Sequence, residues 1–176
     1  MTIPDDQKSP LKLIRAIAFD VDGVLTDGGF WLGPCGEEWK RFCFADVMGL
    51  SLARRAGLKL ALISGEESQL VDRYAAKMRI QHIVKGCRDK AAALREFAQL
   101  ASLDLSEICF IGDDINDLSA MKIAGFSAAP ANAVADVLAQ VDFVGRNAGG
   151  NGAARELVEA LLEAKGTSTL ELFLRP

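Results

Sequence analysis

This sequence of 176 residues has little net charge, one histidine, no C-x-x-C pair and no long apolar run. With 20 Lys and Arg against 24 Asp and Glu, the formal charge is −4, which leaves no basic stripe for nucleic acid. No apolar run approaches the roughly 18–20 residues that span a bilayer, so no membrane segment is expected. Residues Met1–Pro10 are polar and lack an apolar h-region, so they read as a flexible N-terminal tail and not as a signal peptide. Cys35, Cys43, Cys87 and Cys109 are widely scattered. Three of them sit in apolar or strand-like surroundings, which favours small buried thiols over a metal or redox centre and implies a reducing, cytoplasmic setting. His82, the one histidine, reads as a structural residue. Half the residues are apolar and a quarter charged, an ordinary globular composition that excludes disorder.

What is present is an alternation of short apolar runs with helical patterns. Runs 14–19, 58–63 and 108–111 each end abruptly in polar residues: Asp20-Val21-Asp22-Gly23, Ser64-Gly65 and Gly112-Asp113-Asp114. Helices are expected over 48–56, 68–78, 90–101, 118–124, 134–139 and 153–164, with further strands at 126–128 and 141–144. This pattern predicts an α/β fold: a Rossmann-like doubly wound parallel sheet with helices on both faces. One domain is expected over 11–164, with a tail over 165–176. In such sheets polar groups collect past the carboxyl ends of the strands, so Asp20, Asp22, Ser64 and Asp113 are drawn towards one crevice. Residues 28–44 break the alternation. Phe30, Trp31, Trp39, Phe42 and Phe44 flank a turn signal at 33–36, which predicts a protruding β-hairpin and leaves no room for a cap domain. Its aromatic face is either core or a subunit contact.

A carboxylate at a strand end with a second two residues on suits phosphoryl transfer. Asp20 can attack phosphorus to form an aspartyl-phosphate, and Asp22 can act as acid and then base. A hard divalent cation, magnesium, would let an anionic nucleophile approach a phosphate dianion. Its expected ligands are Asp20, Asp113 and the main-chain carbonyl of Asp22, with Asp114 or Asp117 in support. Ser64 and the Gly65 amide can donate to phosphate oxygens, and Lys90 can neutralise charge at the nucleophile. A calcium loop is a poor fit, because Val24 stands where a third oxygen ligand belongs.

The motifs D-V-D-G-V-L-T-D-G (20–28), the strand ending at Ser64, Lys90 and G-D-D-I-N-D (112–117) occur in the order that identifies haloacid dehalogenase superfamily phosphatases. The resemblance implies a nucleophile at Asp20, an acid/base at Asp22, phosphate contacts at Ser64 and Lys90, and magnesium at Asp20, Asp113 and the Asp22 carbonyl. G-E-E-x-K (36–40), D-K (89–90) and G-G-N-G-A-A-R-E (149–156) further resemble the capless 3-deoxy-D-manno-octulosonate 8-phosphate phosphatases. That likeness implies a phosphorylated sugar acid as substrate and a homotetramer in which the hairpins form a central barrel.

Three departures stand out. Ser64-Gly65-Glu66 replaces the usual T-G-R, Val47 replaces the first glycine of D-G-x-G, and Lys85-Gly86 replaces Q-G. Glu66 followed by Lys77 resembles the branch acting on 2-keto-3-deoxynononate 9-phosphate, so these two residues are the candidate specificity determinants. Glu66 beside a dianion needs either substrate hydroxyls or a cation such as Lys77 or Arg73; the alternative is an exposed first-turn helix residue. The apolar tail carrying Leu170, Leu172, Phe173 and Leu174 either covers a neighbour's site or packs on its own subunit. The rival readings are another phosphosugar phosphatase or a phosphomutase, a silent oligomerisation domain, and a phospho-aspartate receiver. The receiver does not explain a second carboxylate at Asp22.

Overall fold

A computed structural model describes residues 5–174. Helix α1 (Asp5–Leu13) leads into β1 (Ala16–Phe19), a hairpin of β2 (Thr26–Leu32) and β3 (Glu38–Phe42), and α2 (Phe44–Arg55). Then follow β4 (Lys59–Ile63), α3 (Gln69–Met78), β5 (His82–Val84), α4 (Lys90–Ala101) and β6 (Ile108–Ile111). The remainder is α5 (Leu118–Met121), β7 (Phe126–Ala129), α6 (Ala135–Leu138), β8 (Phe143–Val144), α7 (Ala153–Ala164) and α8 (Thr169–Leu174). Among the described residues no helix is long and apolar enough to cross a membrane.

Six parallel strands form one sheet in the order β5-β4-β1-β6-β7-β8, as the alternation of the sequence predicts. Successive side chains of a strand point to opposite faces, and both faces here are covered. Ile17, Phe19, Leu60, Leu62, Cys109 and Ile111 join the core beneath α2 and α7. Ala16, Ala18, Ala61, Ile63, Ile108 and Phe110 join the core beneath α4. The alanines at 16, 18 and 61 leave space for Leu94 and Phe97 of α4. Burial on both faces explains why these strands read as apolar runs without alternation.

From β1 the chain moves outward to β4 and β5, then returns to the other side of β1 for β6, β7 and β8. Connections after β1 and β6 therefore diverge and open a crevice beyond their carboxyl ends. Register sets its contents. Phe19 lies level with Leu62 and with Ile111, so Asp20, Ser64 and Asp113 emerge at one edge.

The hairpin β2-β3 stands apart from the main sheet, pairing Leu32 with Glu38 across a loop closed by the Gly33 amide to the Glu37 carbonyl at 2.8 Å. Phe42 anchors its base by stacking on Tyr74 of α3 at 4.2 Å. Phe30, Trp31, Leu32 and Trp39 are more than half exposed, so they are not core of this chain.

Several elements differ from the sequence expectation. The stretch read as an N-terminal tail is helical from Asp5, with Pro10 inside the helix; residues 1–4 lie outside the described part. The C-terminal tail forms α8, which buries Leu172 against its own subunit, and Arg55 of α2 donates to the Leu172 and Phe173 carbonyls. Strand β5 was not expected: its three residues are half-buried at a sheet edge and too short for a periodic signal. Of the four cysteines only Cys109 is buried, and Cys35 is exposed beside the hairpin turn. The helix expected over 118–124 ends at Met121.

Candidate active site

Lys90 organises the crevice. It is the first residue of α4, whose N-cap Asp89 accepts from the Ala92 amide at 3.0 Å. Its side chain is 1 % exposed, and its ammonium bridges Asp20 Oδ1 at 2.7 Å and Asp117 Oδ1 at 2.5 Å. A helix on one face of the sheet is thereby tied to the end of β1 and the loop after β6. Burial alone would depress this lysine, but the Asp20 and Asp117 carboxylates outweigh it and hold the ammonium above its usual range.

Asp20 is buried in the position that the first motif predicts. Burial, reinforced by Asp117, pushes its carboxyl up to about 8 against the pull of Lys90. Asp113 is pushed up to about 6, again by burial first and then by Asp117 and Asp114. Oxygens of Asp20, Asp113 and Asp117 all lie within 4.8 Å of one another. Three crowded carboxylates with one ammonium are short of positive charge, and a divalent cation would supply it. The donor set is all oxygen, which suits magnesium.

Asp117 has the larger structural share. It is fully buried, and its second oxygen accepts from the Asp113 and Asp114 amides at 3.0 and 3.2 Å. That leaves Asp20 and Asp113 as the less committed candidate ligands. The Asp22 carbonyl accepts no hydrogen bond among the described residues. Asp114 is exposed and caps the Ile115 amide at 2.7 Å, and its charge adds to the rise at Asp113.

Asp22 turns towards the hairpin. Lys40 of β3 binds both its oxygens, at 2.8 and 2.9 Å, and the Thr26 hydroxyl adds a contact at 3.4 Å. Lys40 also meets Glu38 at 3.2 Å, and these bonds raise its ammonium despite burial. Gly23 has φ +87, and a Cβ there would lie 2.0 Å from Asp113 Oδ2. Glycine is required for both the left-handed backbone and the close approach of the carboxylate.

Ser64 is buried at the end of β4, where its hydroxyl accepts from the Glu66 amide at 3.1 Å. Gly65 faces Asn116 across the crevice, with 3.7 Å from a built Cβ to the amide nitrogen. Glu66 is exposed. Lys77 lies with its ammonium 5.0 Å from the Phe44 ring. The described residues form no Glu66–Lys77 ion pair, so within one chain the structure does not join the two candidate specificity residues.

Three further residues escaped the sequence reading. Lys40 was visible only inside G-E-E-x-K, with nothing local to pair it with Asp22. Asn132 bridges the first motif and the glycine-rich segment, donating to the Gly23 carbonyl at 3.2 Å and accepting from the Gly149 amide at 2.6 Å. Asp46 is buried and accepts from the Gly152 and Arg155 amides at 3.1 and 3.0 Å, seating the start of α7. The tight D-V-M-G and G-G-N-G segments therefore serve each other: a Cβ at Gly49 would meet the Arg155 backbone at 2.6 Å.

A buried strand-end aspartate, a second carboxylate beside it, a lysine bridge and an oxygen-only cation site define a phosphohydrolase of the doubly wound class. A sequence model for haloacid dehalogenase-like hydrolase matches residues 58–157. The 3-deoxy-D-manno-octulosonate 8-phosphate phosphatase of Escherichia coli (strain K12) is 35% identical over 153 residues, 87% of this chain and 81% of the relative. Among solved structures, the phosphatase of that name from Moraxella catarrhalis, in complex with magnesium, phosphate and a KDO molecule, has a TM-score of 0.90 and 36% identity. The match covers 93% of this chain and 94% of that one. The cobalt-bound phosphatase from Haemophilus influenzae matches with a TM-score of 0.90 and 34% identity, over 94% and 99% of the two chains. The chain belongs to the haloacid dehalogenase-like hydrolases and, within them, to the family of 3-deoxy-D-manno-octulosonate 8-phosphate phosphatases. It is a phosphoric monoester hydrolase.

Proposed function

We propose that this enzyme hydrolyses the phosphate monoester of a 2-keto-3-deoxy sugar acid, with 3-deoxy-D-manno-octulosonate 8-phosphate as the first substrate to test. The Lys90 bridge to a buried Asp20 carries the reading, supported by the substrate named for the relatives. Asp20 attacks phosphorus while the O–P bond to the sugar breaks, and an aspartyl-phosphate results. Asp22 gives its proton to the departing alkoxide and then takes one from the water that releases phosphate. Lys40 holds Asp22 at the hairpin side of the crevice for both transfers. Ser64 and the Gly65 amide donate to the phosphate oxygens, and Lys90 keeps Asp20 aligned and offsets its charge. Asp20, Asp113 and the Asp22 carbonyl would hold magnesium, which would offset the negative charge of the carboxylates and the phosphate.

The substrate is tested by phosphate release from eight- and nine-carbon sugar-acid phosphates, with magnesium and with EDTA. The expected result is magnesium-dependent release with kcat/KM highest for the eight-carbon ester. Preference for the nine-carbon ester would move the assignment to the nononate branch and point to Glu66 and Lys77. No release from either ester would overturn the substrate class.

Metal binding also has a pH signature. Raised folded-state carboxyls mean that the folded protein binds more protons than the unfolded chain, so the metal-free site costs stability as pH rises from about 4 towards 8. A bound cation favours the ionised forms and cancels that cost. The gain in Tm on adding magnesium should therefore grow between pH 6 and 8, as read by scanning calorimetry. A gain independent of pH would place the ion elsewhere.

The hairpin supports a homotetramer, with Phe30, Trp31 and Trp39 as the contact in a reducing, cytoplasmic compartment. Trp31→Ser with Trp39→Ser should shift the sedimenting species from about four chains towards one, leaving far-ultraviolet circular dichroism unchanged. A wild-type protein that sediments as a monomer would overturn it.

A further inference from the structure

The opposite pole of the sheet, where the strands begin, holds a cavity of about 440 Å³ that the phosphatase reaction does not use. It is separated from Ser64 by the length of β4, roughly 16 Å at strand rise. Arg54, Lys59, Arg79 and His82 line it, and none of its lining residues is acidic. In a chain of net charge −4 that is an anomaly. Glu96, the one carboxylate that acts on His82, lies outside the lining. Leu60, Phe97 and Leu100 give the cavity an apolar wall, and the His82 ring tilts against Phe97 at 4.9 Å.

The cations are under-used. Among the described residues the Arg54 side chain spends one bond, from Nη1 to the Met78 carbonyl at 3.3 Å, and its buried Nε has no partner. The buried Nε2 of His82 is likewise unpaired among the described residues. Among the described residues the Lys59 ammonium donates only to the Ala101 carbonyl. The Arg79 amide closes the helix end on the Ala76 carbonyl at 3.1 Å, but its side chain makes no hydrogen bond or ion pair within the described residues, and the residue occupies the left-handed C-cap of α3 with φ 55. Glycine or asparagine is the normal choice there, because a larger side chain is strained. A strained arginine whose side chain has no partner within the described residues, sharing one cavity with two more cations and a histidine that burial holds below its usual range, indicates a function kept at the expense of the helix end.

We propose that this cavity binds an organic phosphate with a flat apolar body, such as a nucleoside monophosphate. The phosphate lies between Arg54, Arg79 and Lys59, where guanidinium groups donate in pairs to its oxygens. The body rests on Leu100, the exposed apolar residue of the lining, an area that inorganic phosphate would leave uncovered. The volume falls within the range of small-molecule sites. Lys59 also lines a second, smaller cavity with Lys165 and with Arg15, whose charge is already paired with Glu107 at 2.8 Å.

The test is saturation-transfer difference NMR on the full chain in EDTA, with phenyl phosphate, AMP, CMP, GMP, UMP and inorganic phosphate as probes. At least one organic phosphate should bind saturably, roughly tenfold more tightly than inorganic phosphate, and Asp20→Asn should leave that binding unchanged. Arg79→Gly should weaken it by roughly tenfold, the loss of one charge-assisted contact. The same variant should raise Tm by relieving the positive φ, which separates lost binding from lost folding. Arg79→Lys should restore part of the affinity. The proposal is overturned if no organic phosphate in the panel binds, if inorganic phosphate binds equally tightly, or if Arg79→Gly leaves affinity unchanged.

Discussion

Asp20→Asn should lower magnesium-dependent phosphate release by at least about 1000-fold, as expected when a covalent nucleophile is removed. The fold should survive, and the metal-free protein should become more stable. The reason lies in the charge balance of the site. Burial, with Asp117 close by, pushes the Asp20 carboxyl up to about 8, so holding a charge there at neutral pH opposes folding. Asparagine keeps the shape and removes that charge, while Lys90 retains Asp117 as its partner. In EDTA at pH 8, Tm should rise by a few degrees, on the order of 2–4 °C per kcal/mol for a chain of this size. In magnesium the order should reverse, because the variant loses a ligand. Activity within tenfold of wild type would sink the nucleophile assignment; a lower Tm in EDTA would refute the electrostatic account.

The second large effect is expected at Lys90. Lys90→Met fills the same space with an apolar chain but leaves Asp20 and Asp117 buried without their shared cation. Removing one partner from a buried ionic network typically costs about 3–5 kcal/mol. Activity should be lost with it, since the nucleophile is no longer fixed. The stability loss should be largest near pH 8 and shrink on acidification, because protonating Asp20 relieves the unpaired charge. Urea unfolding at pH 8 and pH 5.5 reads this directly. Equal losses at the two pH values would mean that the lysine acts by packing.

The strand ends were legible because β1, β4 and β6 are buried on both faces and stop sharply at polar residues. Once the sheet is parallel, register alone brings Asp20, Ser64 and Asp113 together. Lys90 was legible as a helix start, and α4 begins there. What was hidden depends on pairings across long stretches of sequence. Lys40 meets Asp22 only after the hairpin folds back, and Asn132 meets Gly23 from far along the chain. Asp117 looked like a helper, since nothing local shows that two amides and an ammonium converge on it. The same limit applies to Glu66 and Lys77. A resemblance singled them out, with Arg73 as another partner for Glu66 and an exposed first-turn residue as the alternative; within one chain Glu66 is exposed and the ring of Phe44 is what meets the lysine.

The glycine-rich segment before α7 has a consequence for how the enzyme comes into being. The Gly150 amide donates to the Val24 carbonyl, and Asn132 joins Gly149 to Gly23, so the loop after β1 is clamped by residues made more than a hundred positions later. A nascent chain on the ribosome carries every acidic residue of the site once residue 117 has emerged, yet it lacks this clamp. Competence should therefore appear late and abruptly, when the stretch 132–150 leaves the exit tunnel. Chains released before Gly149 should take up magnesium poorly despite having every candidate ligand.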